Sequence, residues 1–243
     1  MVTEISIVIP FYNEQENVQV LVEEIMQSQG DSQDYEIVCV DDSSSDRTLE
    51  ILKECQRNSS VVRVIHHVKR SGQSTAICSG IRHAHSEWIV TMDGDGQNDP
   101  ADIRKFLDYL DRHERDDDLG MLIGWRKNRR DTWLRRVSSK IANGVRSRLL
   151  HDATPDTGCG LKLIRRSYFL RLPYFDHMHR FLPALMQRAG YTVHSIEVNH
   201  RQRTRGYSKY GVHNRLWVGI VDLFGVMWLL RRARLTQVEE IFK

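Results

Sequence analysis

An α/β fold built on a mostly parallel sheet is what this 243-residue sequence predicts, and three observations predict it. Short apolar runs rich in β-branched residues alternate with helix-period segments through the first half, Asp-rich polar loops follow several of the runs, and no repeat or low-complexity linker interrupts the chain. Such alternation yields parallel strands joined by helices that cover both faces of the sheet. With 40% hydrophobic and 28% charged residues, the chain is long enough for one such domain with a sizeable core.

Taken in order, the expected strands are Ile5 to Ile9, Glu36 to Val40, Val61 to His66, Trp88 to Met92 and Leu119 to Ile123. Helical periods fall between them at about 16–28, 47–57, 72–85 and 100–113. The pattern then shifts: 131–150 reads as a basic amphipathic helix, 157–165 as a strand, 176–189 as a helix and 191–198 as another strand. Leu216 to Leu230 is apolar with Asp222 as its one charge, short of the ~20 residues that span a bilayer. Arg231, Arg232 and Arg234 follow it, as in an amphipathic helix lying in an anionic membrane interface; a core or dimer helix is the alternative.

The net charge of +3 conceals an asymmetry. Lys and Arg number 11 against 24 Asp and Glu up to residue 118, and 24 against 8 afterwards, giving −13 and +16. An acidic half suited to a cation thus adjoins a basic half suited to anions. Trp125, Arg126, Arg129, Arg130, Trp133, Arg135 and Arg136 mix cations with aromatics as nucleic-acid surfaces do, but no recognition helix, RNP motif or finger accompanies them, so no nucleic-acid partner is expected. The cysteines Cys39, Cys55, Cys78 and Cys159 lack metal spacing and read as free, mostly buried thiols. His66, His67, His177 and His179 read as surface or capping residues. The N-terminus lacks the basic-apolar-small pattern of a signal peptide, so the expected location is the cytoplasm.

Chemistry concentrates in Asp93-Gly94-Asp95-Gly96-Gln97-Asn98-Asp99, directly after an expected strand. Open α/β sheets bind ligands at that end of their strands. Two carboxylates and an amide at alternate positions give a hard divalent cation oxygen ligands and leave room for a substrate's phosphates. A calcium loop of EF-hand type fails, because its sixth and twelfth positions would be Asn98 and Arg104. A plain strand-to-helix turn begun by Pro100 stays open. Two more polar loops, Pro10 to Glu14 and Asp41 to Asp46, fall at strand ends, where Asp42 suits hydrogen bonding to a base or ribose and Asp46 suits capping the next helix. Neither GxGxxG nor GxxxxGK[ST] is present, which disfavours dehydrogenase and P-loop readings.

Ile7 to Glu14, Val40 to Thr48, Met92 to Gln97 and Gly124-Trp125-Arg126, in this order and spacing, resemble the GT-A glycosyltransferases of family 2, most of all the dolichyl-phosphate mannosyltransferases and bacterial polyprenyl-phosphate sugar transferases. The resemblance implies a GT-A domain over 1–210, a C-terminal amphipathic helix over 211–243, and transfer of a mannose- or glucose-like sugar from a GDP- or UDP-linked donor to polyprenyl phosphate. It assigns Pro10, Tyr12, Glu14, Val40, Asp42, Asp93 and Gly94 to the donor nucleotide, and Asp93, Asp95 and Gln97 to Mg²⁺ or Mn²⁺. Asp95, Arg126 and Asp156 become the catalytic set, with Arg126 at the donor phosphates. Arg203, Arg205 and Lys209, from the stretch Arg203-Thr204-Arg205-Gly206-Tyr207-Ser208-Lys209, would bind the acceptor phosphate. It also places the protein peripherally on the cytoplasmic face of a membrane. Two alternatives stay open: the same chemistry on a hydroxyl of lipid A or a saccharide, with Asp156 as base, and a non-catalytic nucleotide-sugar or membrane-binding protein.

Overall fold

The computed structural model describes residues 4–30, 34–113, 116–127, 144, 146–150, 152, 154–202 and 212–232. Seven strands form one sheet: β1 (Ile5–Phe11), β2 (Tyr35–Asp41), β3 (Val62–His66), β4 (Trp88–Thr91), β5 (Leu119–Trp125), β6 (Lys162–Arg165) and β7 (Thr192–Glu197). Their order is β3-β2-β1-β4-β6-β5-β7. All neighbouring pairs are parallel except the two made by β6, which runs against both β4 and β5.

Every strand that the apolar runs predict is present. Ile5, Ile7, Val8 and Ile9 of central β1 are buried, as a strand covered on both faces requires, and each such side chain contributes about 1.5–3 kcal/mol. The covering helices are α1 (Val18–Gln29), α2 (Thr48–Asn58), α3 (Gln73–His83), α4 (Ile103–Arg112), α5 (Arg166–Phe169), α6 (Leu182–Arg188) and α7 (Val212–Arg232). α1 buries Val18, Leu21, Val22 and Ile25, the i, i+3, i+4, i+7 stripe of a core-facing helix. α3 packs so closely on the sheet that a Cβ on Gly80 would stand 2.3 Å from Val8 Cγ1.

Two elements depart from expectation. The helix expected over 176–189 is broken into a 3-10 turn, Met178–Arg180, and α6, because His177 adopts φ +64° and Pro183 opens α6. The strand expected over 157–165 begins only at Lys162, since a turn through Gly158 occupies the residues before it. Of the basic helix expected over 131–150, the described part over 146–150 is helical and 131–143 lies outside the described residues.

The register sets the site. Phe11 pairs with Asp41 and Val8 with Thr91, so β1, β2 and β4 end along one edge, and the three polar loops leave side by side. Because β6 is antiparallel and Lys162 pairs with Thr91, the segment that precedes β6 arrives at that same edge.

Candidate active site

The acidic loop is shaped by its own hydrogen bonds. Asp93 N donates to Asn98 Oδ1 (3.0 Å), Gln97 N donates to Asp95 Oδ1 (3.1 Å), and Asp99 Oδ1 accepts from Ala101 N (3.1 Å). Gly96 takes φ +72°, a conformation glycine adopts without Cβ strain. Gly94 lies against β1, where a Cβ would meet Phe11 Cδ1 at 2.7 Å and Pro10 O at 2.8 Å. Asp93 Oδ1 accepts from Gln73 Nε2 (2.8 Å) at the start of α3. Over the Asp93 carboxylate sits Gly160, held by Thr91 Oγ1 donating to its carbonyl (2.9 Å).

The two other loops are laced together. Asn13 N donates to Ser44 Oγ (2.9 Å), Ser45 N to Asn13 Oδ1 (2.7 Å) and Glu14 N to Thr48 Oγ1 (2.8 Å), while Asp46 Oδ1 accepts from Thr48 N (2.9 Å) at the start of α2. Pro10 and Val40 face each other across the β1–β2 ladder, and the Glu14 carboxylate accepts from Asn17 Nδ2 (2.7 Å). The Tyr12 ring carries the Arg70 guanidinium 4.1 Å from its centroid. Asp42 is buried, and its carboxylate accepts from Ser71 N and Gly72 N and bonds His67 Nδ1, all at 2.8 Å. It therefore folds the 67–72 loop over the end of β2, which leaves little of the carboxylate for an external donor. His67, read as a surface or capping residue, is half-buried and held between Asp42 and Ser79 Oγ (2.9 Å).

Arg126 leaves the end of β5 and forms a fork with Asp156, Nε to Oδ2 at 2.7 Å and Nη2 to Oδ1 at 2.9 Å, with its backbone N donating to Oδ2 (3.3 Å). Both side chains are largely buried. Burial opposes the Arg126 charge, but the Asp156 carboxylate outweighs it, so the guanidinium is held even more firmly protonated than usual. Beside this pair, Lys162 is buried and donates from Nζ to the Cys159 carbonyl. Desolvation lowers the Lys162 pKa, countered by the negative groups around it, Asp93 and Asp156 among them. All four cysteines are free, Cys39, Cys78 and Cys159 are buried, and burial pushes the Cys78 thiol up to about 11.

The sequence-predicted site residues thus gather at one edge: Pro10, Tyr12, Glu14, Val40 and Asp42 on the β1–β2 side, Asp93, Gly94, Asp95 and Gln97 in the middle, Arg126 and Asp156 on the β5–β6 side. Arg203, Arg205 and Lys209 lie outside the described residues. Gln73 and Lys162 were not singled out by motif reading, and Gly160 was noted only as part of the stretch Asp156-Thr157-Gly158-Cys159-Gly160. His179 was read as a surface or capping residue and is half-buried, with Ser74 Oγ accepting from its backbone N (3.3 Å) and hydrogen-bonded to its Nδ1 (2.7 Å).

Burial, reinforced by the charges of Lys162, Arg180 and His177, holds the His179 imidazole well below its usual pKa. A base with a depressed folded pKa resists a proton that the unfolded chain accepts near ~6.5, so its stability contribution is complete above that pH and declines below it. The melting midpoint is expected to drop as pH falls from about 7 to 5.5, with a His179→Gln variant showing a shallower slope; calorimetric scans across that window check it.

Among the described residues no three His, Cys, Asp or Glu side chains form a closed metal cage. The oxygen set of Asp93, Asp95 and Gln97 nevertheless fits Mg²⁺ or Mn²⁺, since such ions are commonly held by one or two carboxylates and completed by substrate phosphates.

The family model for Glycosyl transferase family 2 matches residues 6–172. A dodecaprenyl-phosphate galacturonate synthase from Rhizobium johnstonii is 37% identical over 94% of this chain and 68% of its own length. An undecaprenyl-phosphate 4-deoxy-4-formamido-L-arabinose transferase from Edwardsiella ictaluri is 35% identical over 86% of this chain and 63% of its own length, so the chain spans about two thirds of these relatives. Among solved structures, a mannosyltransferase from Pyrobaculum calidifontis in complex with GDP-Man and Mn²⁺ superposes with a TM-score of 0.69 at 19% identity, covering 96% of this chain and 66% of that one. Glucosyl-3-phosphoglycerate synthase of M. tuberculosis follows at 0.66 and 14%, covering 94% and 80%. The mostly parallel sheet is therefore the GT-A fold, and the chain belongs to glycosyl transferase family 2.

Proposed function

We propose that this glycosyltransferase moves a sugar from a nucleoside diphosphate sugar to the phosphate of a polyprenyl phosphate, with inversion at the anomeric carbon. The Arg126–Asp156 fork is the observation that carries the choice of acceptor. An acceptor hydroxyl needs a general base to remove its proton, and Asp156, the one candidate, has both oxygens engaged by a guanidinium. A phosphate monoester needs none, because its second pKa is about 6 and it reaches the site already ionised. The dodecaprenyl and undecaprenyl phosphates named for the two relatives agree with this reading.

In this reading Pro10, Tyr12, Glu14, Val40, Asp42 and Gly94 border the nucleoside, while Asp93, Asp95 and Gln97 would hold Mg²⁺ or Mn²⁺. That ion would supply Lewis-acid stabilisation of the departing diphosphate. Arg126 adds fixed positive charge at the same place, pre-oriented by Asp156. Arg203, Arg205 and Lys209 bring the acceptor phosphate in against the repulsion of two anionic substrates. The donor's sugar and base are left to experiment.

We assign residues 1–210 to the catalytic domain and 211–243 to a membrane-interfacial helix at the cytoplasmic face, where nucleotide sugars are available. No helix among the described residues is long and apolar enough to cross a membrane. α7 instead presents Ile220, Val221, Phe224 and Trp228 outward in one stripe that ends in Arg231 and Arg232, and it buries Val226. Asp222, the lone charge of the apolar stretch, turns inward to His177 Nδ1 (3.1 Å), which clears the outer stripe of charge.

The test is incubation with Mn²⁺, short-chain polyprenyl phosphate and a panel of GDP- and UDP-sugars that includes a uronic acid, read by mass spectrometry of extracted lipid. A lipid-linked sugar is expected, lost on Arg203→Ala or Lys209→Ala and reduced far less by Asp156→Asn. Loss on Asp156→Asn with indifference to the basic pair would move the acceptor to a hydroxyl.

A further inference from the structure

Asp93 is constrained at three points. Its backbone N donates to Asn98 Oδ1 (3.0 Å), the Gly160 backbone lies against its carboxylate, and Gln73 Nε2 donates to its Oδ1 (2.8 Å). The first two limit where the residue sits. The third sets which way the carboxylate faces, because a hydrogen bond of this length is directional. Among the described residues Gln73 is the one side chain that bonds this carboxylate. The nearby cations act on it through space only, since Arg126 is forked onto Asp156 and Lys162 Nζ is committed to the Cys159 carbonyl.

Gln73 is itself held rigidly. It is the first residue of α3, and the residues on either side of it are tied down. Ser71 N and Gly72 N both donate to the Asp42 carboxylate at 2.8 Å. Ser74 is buried and its Oγ bonds both the backbone N (3.3 Å) and Nδ1 (2.7 Å) of His179. Thr75 Oγ1 donates to the Ser71 carbonyl and bonds the Tyr174 hydroxyl, each at 2.7 Å. Further along, the close contact of Gly80 with Val8 keeps α3 from sliding on the sheet. A side chain carried by so fixed a helix start holds its partner more precisely than one carried by a free loop.

The chemistry of the donor matters as much as its place. A carboxylate offers about four acceptor sites on its two oxygens, so one bond from Gln73 leaves Oδ2 and the rest of Oδ1 open to a ligand. An amide fills its site without adding charge, whereas a lysine or arginine there would offset the negative charge that attracts a cation. We propose that Gln73 is a positioning residue for the divalent ion, a neutral clamp that orients the Asp93 carboxylate while leaving its charge intact. This rests on the reading above that gives Asp93 to Mg²⁺ or Mn²⁺. Gln73 is no ligand in this scheme; it acts through Asp93. Groups that orient a metal-binding side chain in this way typically change metal affinity about ten- to a hundredfold when removed.

The experiment titrates GDP and UDP into wild type, Gln73→Met and Gln73→Lys by calorimetry, each with saturating Mn²⁺ and with a chelator, alongside melting midpoints. Methionine keeps the length and loses the donor; lysine keeps a donor and brings a charge. In wild type, Mn²⁺ is expected to tighten the binding of at least one nucleotide. That gain is expected to shrink about tenfold or more in both variants, while the Gln73→Met affinity in chelator stays within about twofold of wild type and its midpoint within a few degrees. An undiminished Mn²⁺ gain in Gln73→Met, or equal losses with and without the ion, would overturn the positioning role, and an undiminished gain in Gln73→Lys would overturn the need for a neutral clamp. A wild type whose nucleotide binding ignores Mn²⁺ would overturn the metal assignment itself, and this inference with it.

Discussion

Replacing Gly160 by alanine is expected to cut turnover about a hundredfold while leaving the protein folded. A Cβ at this position would stand 2.2 Å from Asp93 Oδ2, 2.4 Å from its Cγ and 2.7 Å from Oδ1, so one of the two must move. The Gly160 backbone is not free to move: its carbonyl accepts from Thr91 Oγ1, and two residues on the chain enters β6. Asp93 therefore gives way, and its carboxylate leaves the place that Gln73 and the acidic loop define. Gly160 is not among the positive-φ glycines, so alanine adds no backbone strain there. The stability cost is that of modest overpacking, about 1–3 kcal/mol. Turnover measured beside a melting curve separates the two effects; a variant with wild-type turnover would show that the Asp93 position is immaterial.

Asp95→Asn is expected to lower turnover about a thousandfold with an unchanged melting midpoint. Asp95 Oδ1 accepts from Gln97 N, and an asparagine carbonyl can accept the same bond, so this turn bond is kept while the negative charge is lost. The substitution thus distinguishes a carboxylate that shapes a turn from one that holds a cation. Near-normal rates in the variant, or in wild type with a chelator, would leave Asp95 as a turn residue and remove the metal from the scheme.

Both predictions draw on features that motif reading reaches unequally. All seven strands were legible, because β-branched apolar runs between polar loops leave few alternatives for so short a segment. The capping role of Asp46 was legible for the same local reason, and Thr48 N bonds to it. The direction of β6 was not, since a strand's residue pattern is the same whichever way it runs, and its antiparallel entry is what delivers Asp156 and Gly160 to Asp93. The Arg126–Asp156 fork joins residues thirty apart and the Gln73–Asp93 bond residues twenty apart; no local period encodes either. Asp42 shows the opposite difficulty. Its motif suggested a group facing a ligand, yet the carboxylate is occupied by loop amides that no sequence pattern announces.

The placement of β6 between β4 and β5 has a kinetic meaning. Residues 5–91 can assemble β3, β2, β1 and β4 as a parallel half-sheet from neighbouring segments of chain. β5, although made next, has no partner in that half-sheet and must wait for a strand that emerges some forty residues later to slide between them. Pairings at such sequence separation form late, because loop closure must precede the contacts that reward it. Asp93 belongs to the early half and Arg126 and Asp156 to the late one, so the charges meet only when the last central strand is seated. The parallel half-sheet alone therefore carries the acidic loop without Arg126 and Asp156, which reach it only through β5 and the segment before β6.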